Sequence, residues 1–342
     1  MRERFLVTGA HGCIGAWVIR RLVSEGAHVV ALDLSDDAHR LQVVLSESEM
    51  AALPMVRTDI TDLDSLERTL AEHEITNVIH LAALQVPFCR ADPSLGARVN
   101  VVGTVNVLEA VARRSARMAP VVYASSIAAY DAADADADAD ADANVDSGTA
   151  TAAGADTGGG VPGTLYGVYK RANEGTAALY WTDREVASVG LRPHTVYGPG
   201  RDQGLTSSPT AAMLAAAAGR PFEIPFGGRF QFQYAPDVAA AFILASRSPA
   251  RSATVHNLSS RAVHMSDVVA AIEAAEPAAA GTITFVDHQL PFPAEADHAS
   301  LREIIGEPPE TPLREGVADT VRRFRELIAT GAVSAEGPAA PG

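Results

Sequence analysis

The sequence is poor in cysteine and in basic residues, and both shortages limit what the protein can be. Its 342 residues include two cysteines, Cys13 and Cys89, which is too few for a disulfide framework or a cysteine-based metal cluster. Lysine and arginine number 27 against 42 acidic residues. The formal net charge of −15 argues against nucleic acid or an anionic membrane as a partner.

Long apolar runs are also lacking. No apolar run reaches the ~20 residues that a membrane helix needs. Residues 1–4 lead into a strand pattern and not into a signal peptide, so we expect a cytoplasmic protein. Hydrophobic residues make up 47% of the chain, which is ample material for one large domain or two unequal lobes.

Residues 5–23 have the pattern of a phosphate-binding loop. An apolar strand is followed by Thr-Gly-x-x-Gly-x-x-Gly and then by an apolar helical run. Gly9 permits a tight turn, Gly12 lets a pyrophosphate approach the backbone, and Gly15 lets the helix pack close to the sheet. The helix dipole and free N–H groups would hold the negative charge. A plain strand–helix turn is the alternative.

The next strand, residues 28–32, ends in an acidic residue, Asp33. An acid roughly 20 residues after a glycine loop accepts hydrogen bonds from the hydroxyls of the adenosine ribose. It repels a 2′-phosphate, so the sequence predicts NAD and not NADP. A helix cap is the alternative role for Asp33.

Tyr166 and Lys170 are four residues apart, so on a helix they share one face. A phenol has an unperturbed pKa of about 10, and we expect the neighbouring ammonium to lower the pKa of Tyr166. The pair can then take a proton from an alcohol or return one to a carbonyl. In isolation the same spacing is compatible with an exposed helical pair.

In this order, the motifs resemble the extended short-chain dehydrogenase/reductase family, in its NAD-dependent epimerase/dehydratase group. The resemblance extends from residue 4 to about residue 331. It implies an α/β fold, with a Rossmann-type doubly wound parallel sheet and a smaller C-terminal substrate-binding lobe. It further implies an NAD-binding domain over residues 1–192, a mainly substrate-binding lobe over 193–331 with segments that return to the first domain, and a flexible tail over 332–342. We expect a homodimer.

The resemblance also implies the residues of the site. The family's active hydroxyl lies four residues before an aromatic, here Tyr130, which indicates Ser126 and leaves Ser125 as the alternative. Ser126 would bond the reacting oxygen while Tyr166 moves the proton, and Lys170 would also bond the nicotinamide ribose. The implied cofactor-binding residues are Gly9, His11, Gly12, Cys13, Ile14, Gly15, Asp33, Asp59, Ile60, Leu81, Ala82, Ala83, Asn100, Tyr166 and Lys170. The expected substrate contacts are Gln85, Val86, Phe88, Ser126, His194, Thr195 and Arg229, with core packing as the alternative for Phe88 and His194.

Two departures from the family pattern narrow the reaction. Dehydratases and decarboxylases carry an acid just after the catalytic hydroxyl, where this chain has Ile127 and Ala128, so both reactions are disfavoured. Nucleotide-sugar epimerases hold the diphosphate with an Asn and an Arg at the positions of Thr195 and Phe230. Arg201 or Arg229 could replace those donors.

Three hypotheses follow. The first is an NAD-dependent dehydrogenase that acts on a secondary alcohol of a sugar or sugar-like molecule. The second is a nucleotide-sugar epimerase with tightly held NAD, and the third is a non-catalytic NAD-sensing module.

The sequence also predicts the remaining elements and one unusual insert. Strands are expected over residues 54–57, 77–83, 121–126 and 186–192, and helices over 62–73, 209–218, 265–275 and 313–329, with a further helix opened by Asp237. Between residues 131 and 160, alternating Ala and Asp give way to Ser, Thr and Gly. We interpret this stretch as a mobile acidic tether, with an active-site lid as the alternative.

Overall fold

The structure is a computed structural model that describes residues 3–114, 118–130, 161–290, 293–294, 296–297 and 299–335. The acidic insert expected over residues 131–160 therefore lies outside the described residues, as does most of the expected tail. The strands are β1 Arg4–Thr8, β2 His28–Asp33, β3 Met55–Arg57, β4 Asn77–His80, β5 Val121–Ala124, β6 Ser188–Arg192, β7 Thr195–Tyr197, β8 Phe222–Ile224, β9 Arg229–Tyr234, β10 Ala253–Asn257, β11 Ala262–His264 and β12 Ile283–Phe285.

The helices lie between these strands in the alternation that the sequence predicts. They are α1 Cys13–Ser24, α2 His39–Val44, α3 Glu47–Ala52, α4 Leu63–Glu72, α5 Val86–Ala91, α6 Pro93–Ala97, α7 Gly103–Ala112, α8 Leu165–Arg184, α9 Ser208–Ala217, α10 Ala235–Ser246, α11 Met265–Ala275, α12 Ala299–Ile305 and α13 Leu313–Ala329. A π-helical turn, Arg98–Val102, joins α6 to α7, and short 3₁₀ turns occupy Ile127–Ala129, Leu205–Ser207 and Pro277–Ala279.

Seven parallel strands form the main sheet, in the order β10-β6-β5-β4-β1-β2-β3. Strand β1 lies inside the sheet, because Leu6 pairs with Val30 of β2 on one side and with Val78 of β4 on the other. Such a strand must be apolar on both faces, and alternate residues of β1 enter different cores. Phe5 and Val7 face a core shared with α1 and α10, whereas Leu6 faces a core shared with α4, α7 and α8.

One helical stretch, Pro93–Ala112, is 20 residues long and has a mean hydropathy of 1.2. By length and composition alone it could cross a membrane. A helix in the core of a parallel sheet passes the same test. Leu108 and Val111 of this stretch are buried in the core that also contains Leu66 of α4 and Ala177 of α8, so the apolar character is explained by packing within the fold.

The smaller lobe has its own aromatic core. Strands β7, β9 and β11 form a three-stranded sheet, and β8 pairs with β12. Phe226, Phe230 and Phe232 pack edge to face, with ring centroids 5.3 and 6.2 Å apart. Helices α11 and α13 cover this core, and both have the bounds that the sequence predicts.

The two halves of the chain are interleaved. Strand β10 extends the main sheet by pairing in parallel with β6. The sequence analysis did not predict β10. Helix α10 packs on α1 in the core of the main sheet. In addition, the Trp17 indole on α1 donates a 2.9 Å hydrogen bond to the carbonyl of Pro199, in the loop after β7.

Candidate active site

A cleft of about 1090 Å³ opens at the carboxyl ends of the main-sheet strands, where ligands of open parallel sheets bind. Many of the residues that the sequence predicted for the site line it. They are Gly9, His11, Gly12, Cys13, Ile14, Gly15, Asp33, Asp59, Ile60, Leu81, Ala82, Ala83, Gln85, Val86, Phe88, Ser126, Tyr166, Lys170, His194 and Thr195. Residues from both lobes therefore face one space, which is large enough for a cofactor and a substrate.

The glycine loop between β1 and α1 leaves no room for side chains at two positions. Gly9 has a φ of +68°, and a Cβ there would lie 2.5 Å from the backbone nitrogen of Ala82. A Cβ on Gly15 would lie 2.3 Å from the carbonyl oxygen of Gly9. Gly12 is the N-cap of α1, and no side chain in the described part of the chain caps this helix. Its first N–H groups are therefore available to an anion in the cleft.

Asp33 is fixed at the end of β2 by backbone donors. Its Oδ2 accepts from the N–H of His11 at 2.9 Å, and its Oδ1 accepts from the N–H of Ser35 at 3.0 Å. Each carboxylate oxygen has a further lone pair, so the group can still accept hydrogen bonds from a ligand. The side chain thus lies beside the glycine loop with its orientation set before a ligand binds.

Close packing brings Tyr166 to Ser126. Helix α8 begins at Leu165, where the Thr164 hydroxyl caps it by accepting from the N–H of Gly167 at 3.0 Å. A Cβ on Gly167 would lie 2.0 Å from the carbonyl oxygen of Ala128, so glycine is what allows α8 to approach the turn after Ser126. The Ser126 hydroxyl accepts from the N–H of Ala128 at 3.1 Å, and it lies near enough to the Tyr166 phenol for hydrogen bonding to act on the pKa of that phenol. The sequence left Ser125 open as an alternative, and the geometry places Ser126 against the tyrosine.

The electrostatics of the pair differ from the sequence expectation. Burial raises the pKa of Tyr166 to about 12, because the phenolate loses solvation, while the Ser126 hydrogen bond and the charge of Arg201 act to lower it. The expected lowering by Lys170 is therefore wrong for this form of the protein. The Lys170 ammonium lies 5.4 Å from the centre of the phenol ring and donates to the carbonyl of Ala124 at 2.6 Å. Burial lowers the pKa of Lys170 to about 8.

Ser125 belongs to a buried ion-pair network instead. Its hydroxyl donates to Glu174, one turn after Lys170 on α8. Glu174 also accepts two hydrogen bonds from Arg192, at 2.8 and 2.7 Å, and the Arg192 guanidinium lies 4.8 Å from the ring centre of Tyr130. The sequence reasoning did not identify this network. The signal was a Glu four residues after the lysine and an Arg at the end of a buried strand.

Arg201 lines the cleft and differs from the other arginines there. Its Nη2 donates to the hydroxyl of Thr206 at 2.9 Å, but its Nε is buried and has no hydrogen-bond partner among the described residues. Burial lowers the pKa of Arg201 from its usual value, and the charge of Arg201 acts on Tyr166. A guanidinium with an unused buried donor beside the reactive phenol is suited to an acidic or strongly polar ligand group.

Two of the predicted residues are not at the site. Asn100 was expected near the cofactor, but its side chain is buried and bonds to the backbone N–H and carbonyl of Leu84, at 2.7 and 2.9 Å. It therefore shapes the loop after β4 and does not line the cleft. Arg229 was expected to contact substrate, but it does not line the cleft either, and its guanidinium donates to the carbonyl of Ala262 on β11.

His194 lines the cleft with both ring nitrogens already used. Its Nδ1 accepts from the N–H of Thr195 at 2.9 Å, and its Nε2 lies 2.8 Å from the carbonyl of Pro293. Burial lowers the pKa of His194 to about 4, so the ring is neutral. This residue holds the wall of the cleft and presents its ring surface there. In the described residues, no group of three or more His, Cys, Asp and Glu side chains is arranged to hold a metal ion.

Comparison with known proteins identifies the family. The model of the NAD-dependent epimerase/dehydratase family matches residues 5–259. The chain belongs to this family. Among curated members, UDP-glucose 4-epimerase from Mycolicibacterium smegmatis is 30% identical over 337 residues, which cover 94% of this chain and 98% of that protein.

Solved structures agree in fold. UDP-glucose 4-epimerase from Thermus thermophilus in complex with NAD has a TM-score of 0.74 at 25% identity, covering 94% of this chain and 99% of that one. L-threonine dehydrogenase from Clostridium difficile has a TM-score of 0.77 at 18% identity, with 95% and 98% covered, and this likeness concerns the fold alone. The expected family, the Rossmann-type fold and NAD as cofactor are confirmed.

The geometry of this family member fits NAD. The glycine loop offers uncapped N–H groups to a pyrophosphate, and Asp33 offers a fixed carboxylate to a ribose. Ile60 lines the cleft and packs so tightly on Gly103 that a Cβ there would lie 2.4 Å from its Cδ1. Tyr166 and Lys170 line the same cleft as these groups.

Proposed function

We propose that the protein removes a hydride from a secondary alcohol of a sugar or sugar-like substrate, with NAD as the acceptor, and that Ser126, Tyr166 and Lys170 carry the proton chemistry. The observation that supports this most directly is that Ser126, Tyr166 and Lys170 line the same cleft as the glycine loop, with Ser126 near enough to act on the Tyr166 phenol. Bound NAD supplies the hydride acceptor. All other steps belong to side chains of this chain.

Each of the three residues has a distinct role in this proposal. The Ser126 hydroxyl bonds the substrate oxygen and orients it toward Tyr166, which takes the proton as the alcohol is oxidised. Burial raises the pKa of Tyr166, so the phenolate needs positive charge nearby. Arg201 is the cation whose charge acts on this phenol, the Lys170 ammonium lies 5.4 Å from the ring centre, and both residues line the cleft.

The substrate that we favour carries an acidic or phosphorylated group as well as the alcohol. The support is the buried, unpartnered Nε of Arg201, since an anion would satisfy this donor. Thr195 and Phe230 occupy the positions where nucleotide-sugar epimerases carry an Asn and an Arg. This difference favours net oxidation of the substrate over epimerisation. The loss of Arg229 from the cleft removes one of two possible diphosphate ligands.

Nucleotide-sugar epimerisation is the second candidate. It is favoured by the M. smegmatis relative, which is named a UDP-glucose 4-epimerase and matches nearly the whole chain. The same three residues would act, but the hydride would return to the other face of the sugar. A non-catalytic NAD-sensing module is a further alternative, and the presence of both Tyr166 and Lys170 argues against it.

A substrate panel separates these candidates. Purified protein is mixed with NAD and with free, acidic and nucleotide-linked sugars, while NADH absorbance and sugar epimers are measured. Net NADH formation supports the dehydrogenase, and an epimeric product without NADH supports the epimerase. NAD binding without either product would contradict the proposal.

A tyrosine pair on α8 provides a matched control. Tyr166→Phe should lower turnover by at least about a hundredfold while NAD binding stays within about twofold, because only the proton carrier is lost. Tyr169→Phe removes a hydroxyl that donates to the carbonyl of Pro93, away from the cleft, and should leave turnover unchanged. Near wild-type turnover of Tyr166→Phe would overturn the assignment.

We also propose a homodimer formed through α8. The helix exposes apolar or small residues at intervals of three and four, which is the spacing of a helix-pairing seam. These residues are Leu165, Val168, Ala172, Gly175 and Leu179. The opposite face of α8 carries Lys170 toward the cleft, so a second copy of the chain would cover a helix that supports the site.

A further inference from the structure

An ion pair joins helix α2 to the loop after β7 at the cofactor cleft. Arg40, in the first turn of α2, donates from Nε and Nη2 to Oδ1 of Asp202, at 2.8 and 2.6 Å. Asp202 lies in the loop after β7, and its Oδ2 is 2.8 Å from Nε2 of His39. The side chains of Arg40 and Asp202 are 12% and 26% exposed, so solvent screens this pair less than a typical surface pair.

The pair lies next to the groups that fit NAD. Arg40 also donates from Nη1 to the carbonyl of His11 in the glycine loop, at 3.0 Å. The residues before it run back to Asp33, and Asp37, Arg40 and Asp202 all line the cleft. A dinucleotide lying along the glycine loop would therefore have the Arg40–Asp202 pair beside its pyrophosphate and adenosine portions.

The loop that carries Asp202 is held at a second point. The hydrogen bond from Trp17 to Pro199 anchors it to α1, and Gly200 packs near the stem of Arg40. Because this loop is already anchored to α1, Asp202 is held near α2, and the ion pair does not have to bridge the whole distance between them by itself. The contacts of Asp202 with Arg40 and with His39 are thus polar connections that must break for α2 and this loop to separate.

We propose that Arg40 and Asp202 form a clasp that slows the release of NAD. This inference rests on the proposed function only through the cofactor, and it assigns both residues to cofactor retention and not to the chemical step. Asp202 directly follows Arg201, so the loop that retains the cofactor is also the loop that would bind the acidic group of the substrate. Cofactor residence and substrate binding are then coupled through one segment.

The test measures the dissociation of NADH, which reports retention without any turnover. The holoprotein is loaded with NADH, an excess of NAD is added, and the fall in NADH fluorescence gives the dissociation rate. The variants are Asp202→Asn, Arg40→Gln and the double variant. Asp202→Asn is the cleaner change, because Arg40 also contacts the glycine loop directly. Arg20→Gln is the matched control, since it breaks a pair with Glu49, 2.6 Å apart, that joins α1 to α3 outside the cleft.

The clasp predicts dissociation about tenfold faster in Asp202→Asn and in Arg40→Gln. The double variant should release NADH about as fast as Arg40→Gln, because the Arg40–Asp202 pair is lost in all three variants. Thermal unfolding of the Asp202→Asn apoprotein should match that of Arg20→Gln within a few degrees. Rates for Asp202→Asn within twofold of wild type would overturn the proposal, as would equal acceleration by Arg20→Gln. Failure of turnover with intact NADH binding would instead count against the proposed reaction and leave this test decisive.

Discussion

Replacing Glu174 by Gln tests whether the buried network beneath the active site stabilises the fold. The Glu174 and Arg192 side chains are 8% and 0% exposed, and they form two charge-assisted hydrogen bonds. Gln has nearly the same shape as Glu but no charge. The substitution therefore leaves the Arg192 cation buried, with only neutral partners and the face of Tyr130.

The expected cost follows from that uncompensated charge. Removing one partner of a buried ion pair destabilises a protein by about 3 to 5 kcal/mol, because the remaining charge keeps its desolvation penalty. Removing both charges is much less costly, so Glu174→Gln combined with Arg192→Met should be less destabilised than Glu174→Gln alone. The partly exposed pair between Arg20 and Glu49 provides the scale for a contact near the surface, and Arg20→Gln should cost less than about 1 kcal/mol.

Urea unfolding of the apoprotein, followed by circular dichroism near neutral pH, compares four variants with wild type: Glu174→Gln, Arg192→Met, their double variant and Arg20→Gln. The free energy of unfolding of each variant is compared at a common slope, since a changed slope would indicate an altered denatured state. A loss below about 1 kcal/mol for Glu174→Gln would refute the reasoning. So would additive losses in the double variant, because they would mean that the two side chains do not interact.

Three further outcomes are expected. Burial lowers the pKa of His80 to about 3 and those of His194 and His256 to about 4, so the folded state keeps them neutral while the unfolded chain protonates them below about pH 6.5. The free energy of unfolding is therefore highest above pH 6.5 and declines as the pH falls toward 4. At pH 5 each of these histidines should have lowered it by about 2 kcal/mol, and a free energy of unfolding that is flat from pH 7 to pH 5 would contradict this. Because Asp33 repels a 2′-phosphate, NADP should bind at least about tenfold more weakly than NAD in fluorescence titrations, and equal affinities would contradict its role. Val168→Glu should convert the proposed dimer to a monomer in sedimentation. The same change at Ala177, which lies on the buried face of α8, would affect only folding.

Local patterns carried most of the fold prediction. The glycine spacing located the turn from β1 to α1, and the periodicity of α11 and α13 gave their bounds. Strand β10 was missed because its sequence, Ala-Thr-Val-His-Asn, has no distinctive apolar pattern. Its place is set by pairing with β6, more than 60 residues earlier, as the register of Ala253 with Ser188 shows. Only the folded chain brings that partner to it.

The site was predictable where one segment supplies the geometry and less so where two segments meet. Tyr166 and Lys170 share one helix, and Asp33 ends one strand, so their spacing, taken together with the glycine loop and the order of the motifs, predicted that they line the cleft. The prediction that Arg229 contacts the substrate was wrong, because the position of this residue relative to the cleft depends on how β9 pairs with β11. The expected lowering of the pKa of Tyr166 was wrong for a related reason. Burial is a property of the assembled cleft, and its effect on this pKa outweighs that of the nearby cation.

The interleaving of the two halves has a consequence for how the chain can be divided or synthesised. A fragment that ends at Arg192 contains the glycine loop, Asp33 and Tyr166, yet it lacks β10 and the helix α10 that covers α1. During synthesis, about 65 residues after Arg192, up to Asn257, must be added before β10 can pair with the edge of β6 and α10 can cover α1. We therefore expect that the segment up to Arg192 does not fold stably by itself, and that NAD binds only after the smaller lobe has been synthesised.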